Sequence, residues 1–113
     1  MPYKRRLRLL LVASVHPEWA EEARAAAARI GADHIEPRAV PEVGLSETEW
    51  ADLILTLEPA ARDALPRLPP RIRVRHLELP PASDSPARED VIEEHLRGIL
   101  GGLRLMARSD EID

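Results

Sequence analysis

Leu9-Leu10-Leu11-Val12-Ala13-Ser14-Val15-His16-Pro17-Glu18-Trp19-Ala20 holds the junction that decides the fold. An apolar run ends there and an Ala-rich pattern begins. Residues 7–13 are apolar almost without alternation, the pattern of a strand covered on both faces, as in a parallel sheet. Pro17 suits the first turn of a helix, where its missing N–H costs nothing. Glu18 suits the positive end of the helix dipole. Trp19, Ala23, Ala26, Ala27 and Ile30 fall on one helical face, and Gly31 is a natural stop. In open α/β sheets, ligands bind at the carboxyl ends of strands, above such junctions. The loop of Ser14, Val15 and His16 is therefore the place for small-molecule or phosphate chemistry, yet it contains no Gly, Arg or Cys.

Working outward, a short second strand is expected around His34-Ile35-Glu36, limited by Pro37 and Pro41. Ser46 and Glu49 read as a capping-box pair, predicting a helical turn near 46–50. Asp52 to Leu57 is another buried strand. Pro59 opens a second helix with Ala60, Ala64, Leu65 and Leu68 near one face, ended by Pro66, Pro69 and Pro70. Arg71-Ile72-Arg73-Val74-Arg75-His76-Leu77 alternates with period two, the mark of an edge or half-exposed strand. After a Pro- and Ser-rich loop, Ser85 and Pro86 read as N-cap and first turn of a last helix. Its stripe is Val91, Ile92, His95, Leu96, Ile99, Leu100, Leu103 and Met106. Gly98, Gly101 and Gly102 weaken it locally and suggest close packing against a neighbour. The order β-α-β-(α)-β-α-β-α gives a parallel sheet with right-handed crossovers. We expect a three-layer α/β/α domain with a four-stranded parallel sheet over residues 1–108, then a polar tail at 109–113.

The chain has 113 residues, a net charge of −4 and no cysteine. The length suits one domain. The charge argues against a nucleic-acid partner. The missing cysteines exclude thiolate catalysis, disulfides and zinc-thiolate sites. Basic residues before Leu9 imitate a signal peptide, but His16, Pro17 and Glu18 stand where small cleavage-site residues belong. No stretch suits a membrane span, so a cytoplasmic location is the expectation.

Trp50-Ala51-Asp52-Leu53-Ile54-Leu55-Thr56-Leu57-Glu58, followed by Arg62-Asp63-Ala64-Leu65, resembles the central part of the low-molecular-weight protein tyrosine phosphatases, which share their fold with thioredoxin-coupled arsenate reductases. The first strand with Trp19-Ala20-Glu21-Glu22-Ala23, and the final helix from Ala87 to Met106, are similar as well. The resemblance implies a phosphotyrosine phosphatase I-like fold. It also implies a loop after the first strand in which a Cys nucleophile and an Arg wrap the phosphate, helped by backbone N–H groups. Here Ala13 stands in place of the Cys, the loop is shortened, and no Arg is present. The family's general acid is an Asp followed by Pro in a later loop. Pro81 fits that place in the simplest register, and Asp84 is displaced from it.

The candidate site residues are Ser14, Val15, His16, Glu58 and Asp84, assigned as ligand-binding, with no catalytic residue. Ser14 and His16 with Asp84 offer the elements of a hydrolase triad, though helix capping by Ser14 or His16 is the plainer role. Thr56 and Glu58 lie at the same sheet end. A weak anion site on loop N–H groups is a further candidate. The histidines His16, His34, His76 and His95 show no metal-ligand spacing, and no metal or cofactor is expected. Arg71, Arg73 and Arg75 offer a surface to an acidic partner, or a solvated strand face that keeps sheets from pairing edge to edge. Trp19 and Trp50 read as core or rim. The favoured role is a catalytically inactive phosphatase-like domain acting as a binding or regulatory module, with a protein partner or a second copy of itself. The alternatives are a weak anion or small-ligand binder, or a divergent hydrolase using Ser14 and His16.

Overall fold

The computed structural model describes residues 6–79 and 84–112, with side chains throughout except at Ser85 and at 103–112. The elements are β1 (Leu7–Val12), α1 (Pro17–Ile30), β2 (Ile35–Val40), α2 (Leu45–Trp50), β3 (Leu53–Thr56), α3 (Pro59–Asp63), β4 (Arg73–His76) and α4 (Ser85–Ile112). The strands form one sheet in the order β2-β1-β3-β4, and each neighbouring pair is parallel. This is the expected α/β architecture. Strand β1 lies centrally because it is apolar on both faces.

The period-two alternation of β1 divides the core. Leu9, Leu11 and Ala13 pack with Leu53, Leu55 and Leu57 under α1 and α4, against Ala23, Ala27, Ile92 and Leu96. Leu10, Val12 and Ile54 face the other way and meet Ala51, Ala61 and Ile72. Each fully buried Leu contributes on the order of 1.5–3 kcal/mol, so the α1–α4 side carries most of the hydrophobic stabilisation. Gly31 lies in a tight place where α1 ends. A Cβ there would lie 3.2 Å from the Ala27 carbonyl oxygen, from Ile35 Cδ1 and from Leu100 Cδ2.

The structure corrects several local expectations. Strand β2 runs through Pro37 to Val40. The Leu7 N–H donates to His34 C=O and the Ala13 N–H to Val40 C=O, so the even-numbered residues of β2 face β1. Pro37, paired with Leu9, therefore lacks its N–H on the outer side of an edge strand, where no ladder bond is lost. Helix α2 is capped through Gly44, whose N–H donates to Glu47 Oε1 at 2.7 Å, rather than by the Ser46 and Glu49 pair. Helix α3 stops at Asp63, so Ala64, Leu65 and Leu68 lie beyond it. Asp84, not Ser85, is the N-cap of α4: its Oδ1 accepts the Ala87 N–H at 2.9 Å. Added Cβ atoms at Gly98, Gly101 and Gly102 would meet nothing within 4 Å, so these glycines do not serve close packing. The backbone of α4 is helical to Ile112.

Candidate functional site: a loop cradle filled by Glu58

The β1–β3 register pairs Val12 with Thr56. That brings the loop after β1 and the segment after β3 to the same end of the sheet. Glu58 lies at the β3–α3 junction, with extended backbone before Pro59 starts the next helix. Its side chain turns into the loop after β1 and is only 4% exposed.

There the carboxylate meets a ring of donors. Oε1 accepts the N–H groups of Ser14 and of Val15, the latter at 2.6 Å. It also accepts the Ser14 hydroxyl at 2.9 Å. Oε2 accepts the His16 N–H at 3.0 Å. Successive N–H groups converging on one point form a concave anion-binding nest, and α1 starts at its rim with the positive end of its dipole. Burial pushes the Glu58 carboxyl up, but hydrogen bonds from the Val15 N–H, the Ser14 hydroxyl, and the His16 and Ser14 N–H groups together outweigh it. Its pKa lies below the ordinary value. The group is a buried carboxylate anion at neutral pH.

Four of the five sequence-selected residues therefore meet: Ser14, Val15, His16 and Glu58. Asp84 does not join them in a relay, because its side chain caps α4. The Ser14 hydroxyl is directed at Glu58, not at an imidazole. His16 is the N-cap residue of α1 but gives no side-chain capping bond. Its ring stacks on Trp19 at a centroid distance of 4.1 Å, and Nδ1 lies 3.5 Å from Glu18. Neither Ser14 nor His16 caps the helix through its side chain, since Glu58 takes the loop donors from across the sheet. Thr56 instead pairs its Oγ1 with His76 Nδ1 at 2.8 Å. Pro81 lies outside the described residues.

Beside the cradle opens a pocket of about 290 Å³ walled by Val15, His16, Trp19, Leu57, Glu58 and Leu79. Val15 is 64% exposed at its mouth. Arg88 reaches over the Trp19 ring at 5.4 Å and forks onto Glu22 at 2.9 and 3.1 Å, tying α4 to α1 behind the pocket. The helix-face pattern pointed to Trp19 as buried, but nothing in the sequence marked Leu79 as a pocket wall. Among the described residues, no group of three or more His, Cys, Asp or Glu is placed to hold a metal ion. No helix among them is long and apolar enough to cross a membrane.

This arrangement sits on a known fold. The chain superposes on a thioredoxin-dependent arsenate reductase of Corynebacterium glutamicum with a TM-score of 0.71 and 13% sequence identity, over 93% of this chain. The match spans 65% of that protein's length. The likeness is one of fold: the low-molecular-weight phosphatase and arsenate reductase architecture, here in a chain without cysteine. No protein-family model and no curated protein matches the sequence.

Proposed function

We propose that this chain is a catalytically inactive, degenerate counterpart of the low-molecular-weight phosphatases that serves as a binding or regulatory module. One observation carries the reading: the Glu58 carboxylate occupies the loop cradle and takes up its backbone N–H donors. By the family resemblance, that is the place of a bound phosphate. An incoming dianion would meet a like charge there. Displacing Glu58 would leave a buried carboxylate without its hydrogen bonds, which costs several kcal/mol. The chain also has no thiol to attack phosphorus. The Ser14 hydroxyl donates to a carboxylate and has no imidazole hydrogen-bonded to it among the described residues, so it lacks the partner that triad chemistry requires. What remains at the sheet's carboxyl end is an apolar pocket suited to contact rather than turnover. On this reading the partner is a protein or a second copy of the chain, the setting is cytoplasmic, and residues 1–108 act as one domain.

Calorimetric titration with phosphate and sulfate, together with an aryl-phosphate hydrolysis assay, tests the proposal on the wild-type chain and on Glu58→Ala. The wild type is expected to bind neither anion at millimolar concentration and to show no turnover. The variant is expected to gain anion affinity and to melt at a higher temperature with phosphate present. Saturable hydrolysis by the wild type that disappears on mutation within Ser14–Glu18 would sink the proposal.

A further inference from the structure

The sheet's two outer edges differ. On β2, Pro37 stands at an outward-facing position and blocks pairing there. On β4, the Arg73 N–H donates to Asp52 C=O at 3.2 Å and the Leu77 N–H to Thr56 C=O at 2.9 Å. Alternate residues of a parallel ladder bond the same neighbour. Val74 and His76 therefore turn their N–H and C=O groups to the free side, beyond which no described strand lies.

The side chains on this edge are unusual for an acidic protein. Ala64 to Leu77 carries Arg67, Arg71, Arg73 and Arg75 and no Asp or Glu, in a chain of net charge −4. Arg71 is engaged, donating to the carbonyls of Thr48 at 2.7 Å and Ala51 at 3.3 Å. Arg73 and Arg75 are exposed, and neither side chain has a hydrogen-bond or ion-pair partner among the described residues. Their cross-strand neighbours are Leu53 and Leu55, which places both arginines on the α4 side of the sheet. Between β4 and α4 runs a groove of about 290 Å³, floored by Leu53 and Ile99 and open along Gly98 and Gly102. Asp52 sits at one end, where it accepts the Arg8 N–H. On the opposite face of β4, Val74 is 43% exposed.

We propose that β4 accepts an extended acidic segment of a partner protein as a fifth strand. The segment reads acidic–apolar–acidic. Its carboxylates pair with Arg73 and Arg75 on the α4 side, and the apolar residue between them lies beside Val74 on the other. Backbone bonds to Val74 and His76 supply the docking, and the charges select the partner. Another copy of β4 is a poor occupant, because edge-to-edge pairing would set Arg73 and Arg75 of one chain against those of the other.

The test is an NMR titration of the full chain with a short blocked peptide alternating Glu and Val, and with the same peptide carrying Lys for Glu. The Glu peptide is expected to bind saturably and to slow amide exchange at Val74 and His76. The Arg73 and Leu77 amides, already bonded to β3, stay unchanged. Arg73→Glu with Arg75→Glu is expected to weaken binding about tenfold or more. Val74→Pro removes an outward N–H without touching the β3 ladder and is expected to cause a similar loss. Unchanged exchange at Val74 and His76 under saturating Glu peptide overturns the proposal, and this readout needs no variant. Equal binding of the Lys peptide overturns the acidic class. Protection of the same amides by concentration-dependent self-association alone makes a second copy the occupant and likewise overturns it.

Discussion

The loop after β1 and the outer edge of β4 both offer donors to an anion, and the chain treats them in opposite ways. In the loop, the N–H groups of Ser14, Val15 and His16 close on Glu58 from the neighbouring strand. At the edge, Arg73 and Arg75 carry full charges and have no partner among the described residues. Buried backbone donors are costly when left unmade, whereas exposed guanidinium groups are satisfied by water at little cost. A buried cradle that does not hold a ligand has to be filled from within, but an exposed edge can wait for a partner. The first region therefore contributes to stability, and the second is available for recognition.

Removing the Glu58 side chain tests the first half most severely. Glu58→Ala leaves loop N–H groups without their acceptor and is expected to cost about 2–4 kcal/mol in urea or thermal unfolding. Much of that loss should return when phosphate or sulfate is added. A loss below about 0.5 kcal/mol would mean that water replaces the carboxylate freely and that the cradle is not a structural contact.

The same contact can be followed by pH, alongside a half-buried histidine. The folded-state pKa of Glu58 is depressed below 4.5. Its contribution to stability is thus full above the unfolded value and is lost as pH falls through the folded one. His95 responds at higher pH. Burial, and then the nearby Arg75 charge, hold its imidazole below 6.5. The unfolded chain takes up the proton first, so stability begins to fall once pH drops below about 6.5. Unfolding measured from pH 7.5 to 3 should show two declines, the upper one absent in His95→Leu and the lower one reduced in Glu58→Gln. A single decline in the wild type would contradict this assignment.

The groove beside β4 gives a smaller effect of opposite sign. An added Cβ at Gly98 would meet nothing within 4 Å, and the residue is helical without positive φ. Gly98→Ala should stabilise the chain by about 0.5–1 kcal/mol. Destabilisation would mean that the groove is closed by packing, and the contrast with the filled cradle would fail.

The sequence made the β1–α1 junction legible because an unbroken apolar run and Pro17 mark both sides of it. The extent of β2 was not legible. Pro37 reads as a strand limit until one knows that β2 lies at an edge and that residue 37 faces outward, which is a property of pairing rather than of local sequence. Asp84 and Ser85 are adjacent and both are good caps, so composition does not choose between them. Glu58 was recognisable as a polar residue at the ligand-bearing end of the sheet. Its role as an internal anion depends on contacts to positions 42 to 44 residues away, which no local pattern encodes.

The least perturbing change is aimed at the edge itself. Arg73→Ala with Arg75→Ala removes two exposed side chains that make no ion pair among the described residues. Unfolding stability is expected to stay within about 0.5 kcal/mol of the wild type. Below about pH 6.5 a small gain is expected, because the Arg75 charge near His95 holds that imidazole further from protonation. Without the Arg75 charge the folded-state imidazole protonates more readily, so the upper pH decline of the double variant should be slightly smaller than that of the wild type. A loss above 1 kcal/mol, on the order of a surface network rather than of solvated side chains, would show that the arginines hold β4 against α4. They would then belong with Glu58 among the groups that stabilise the fold, and the division between a filled cradle and an open edge would have to be redrawn.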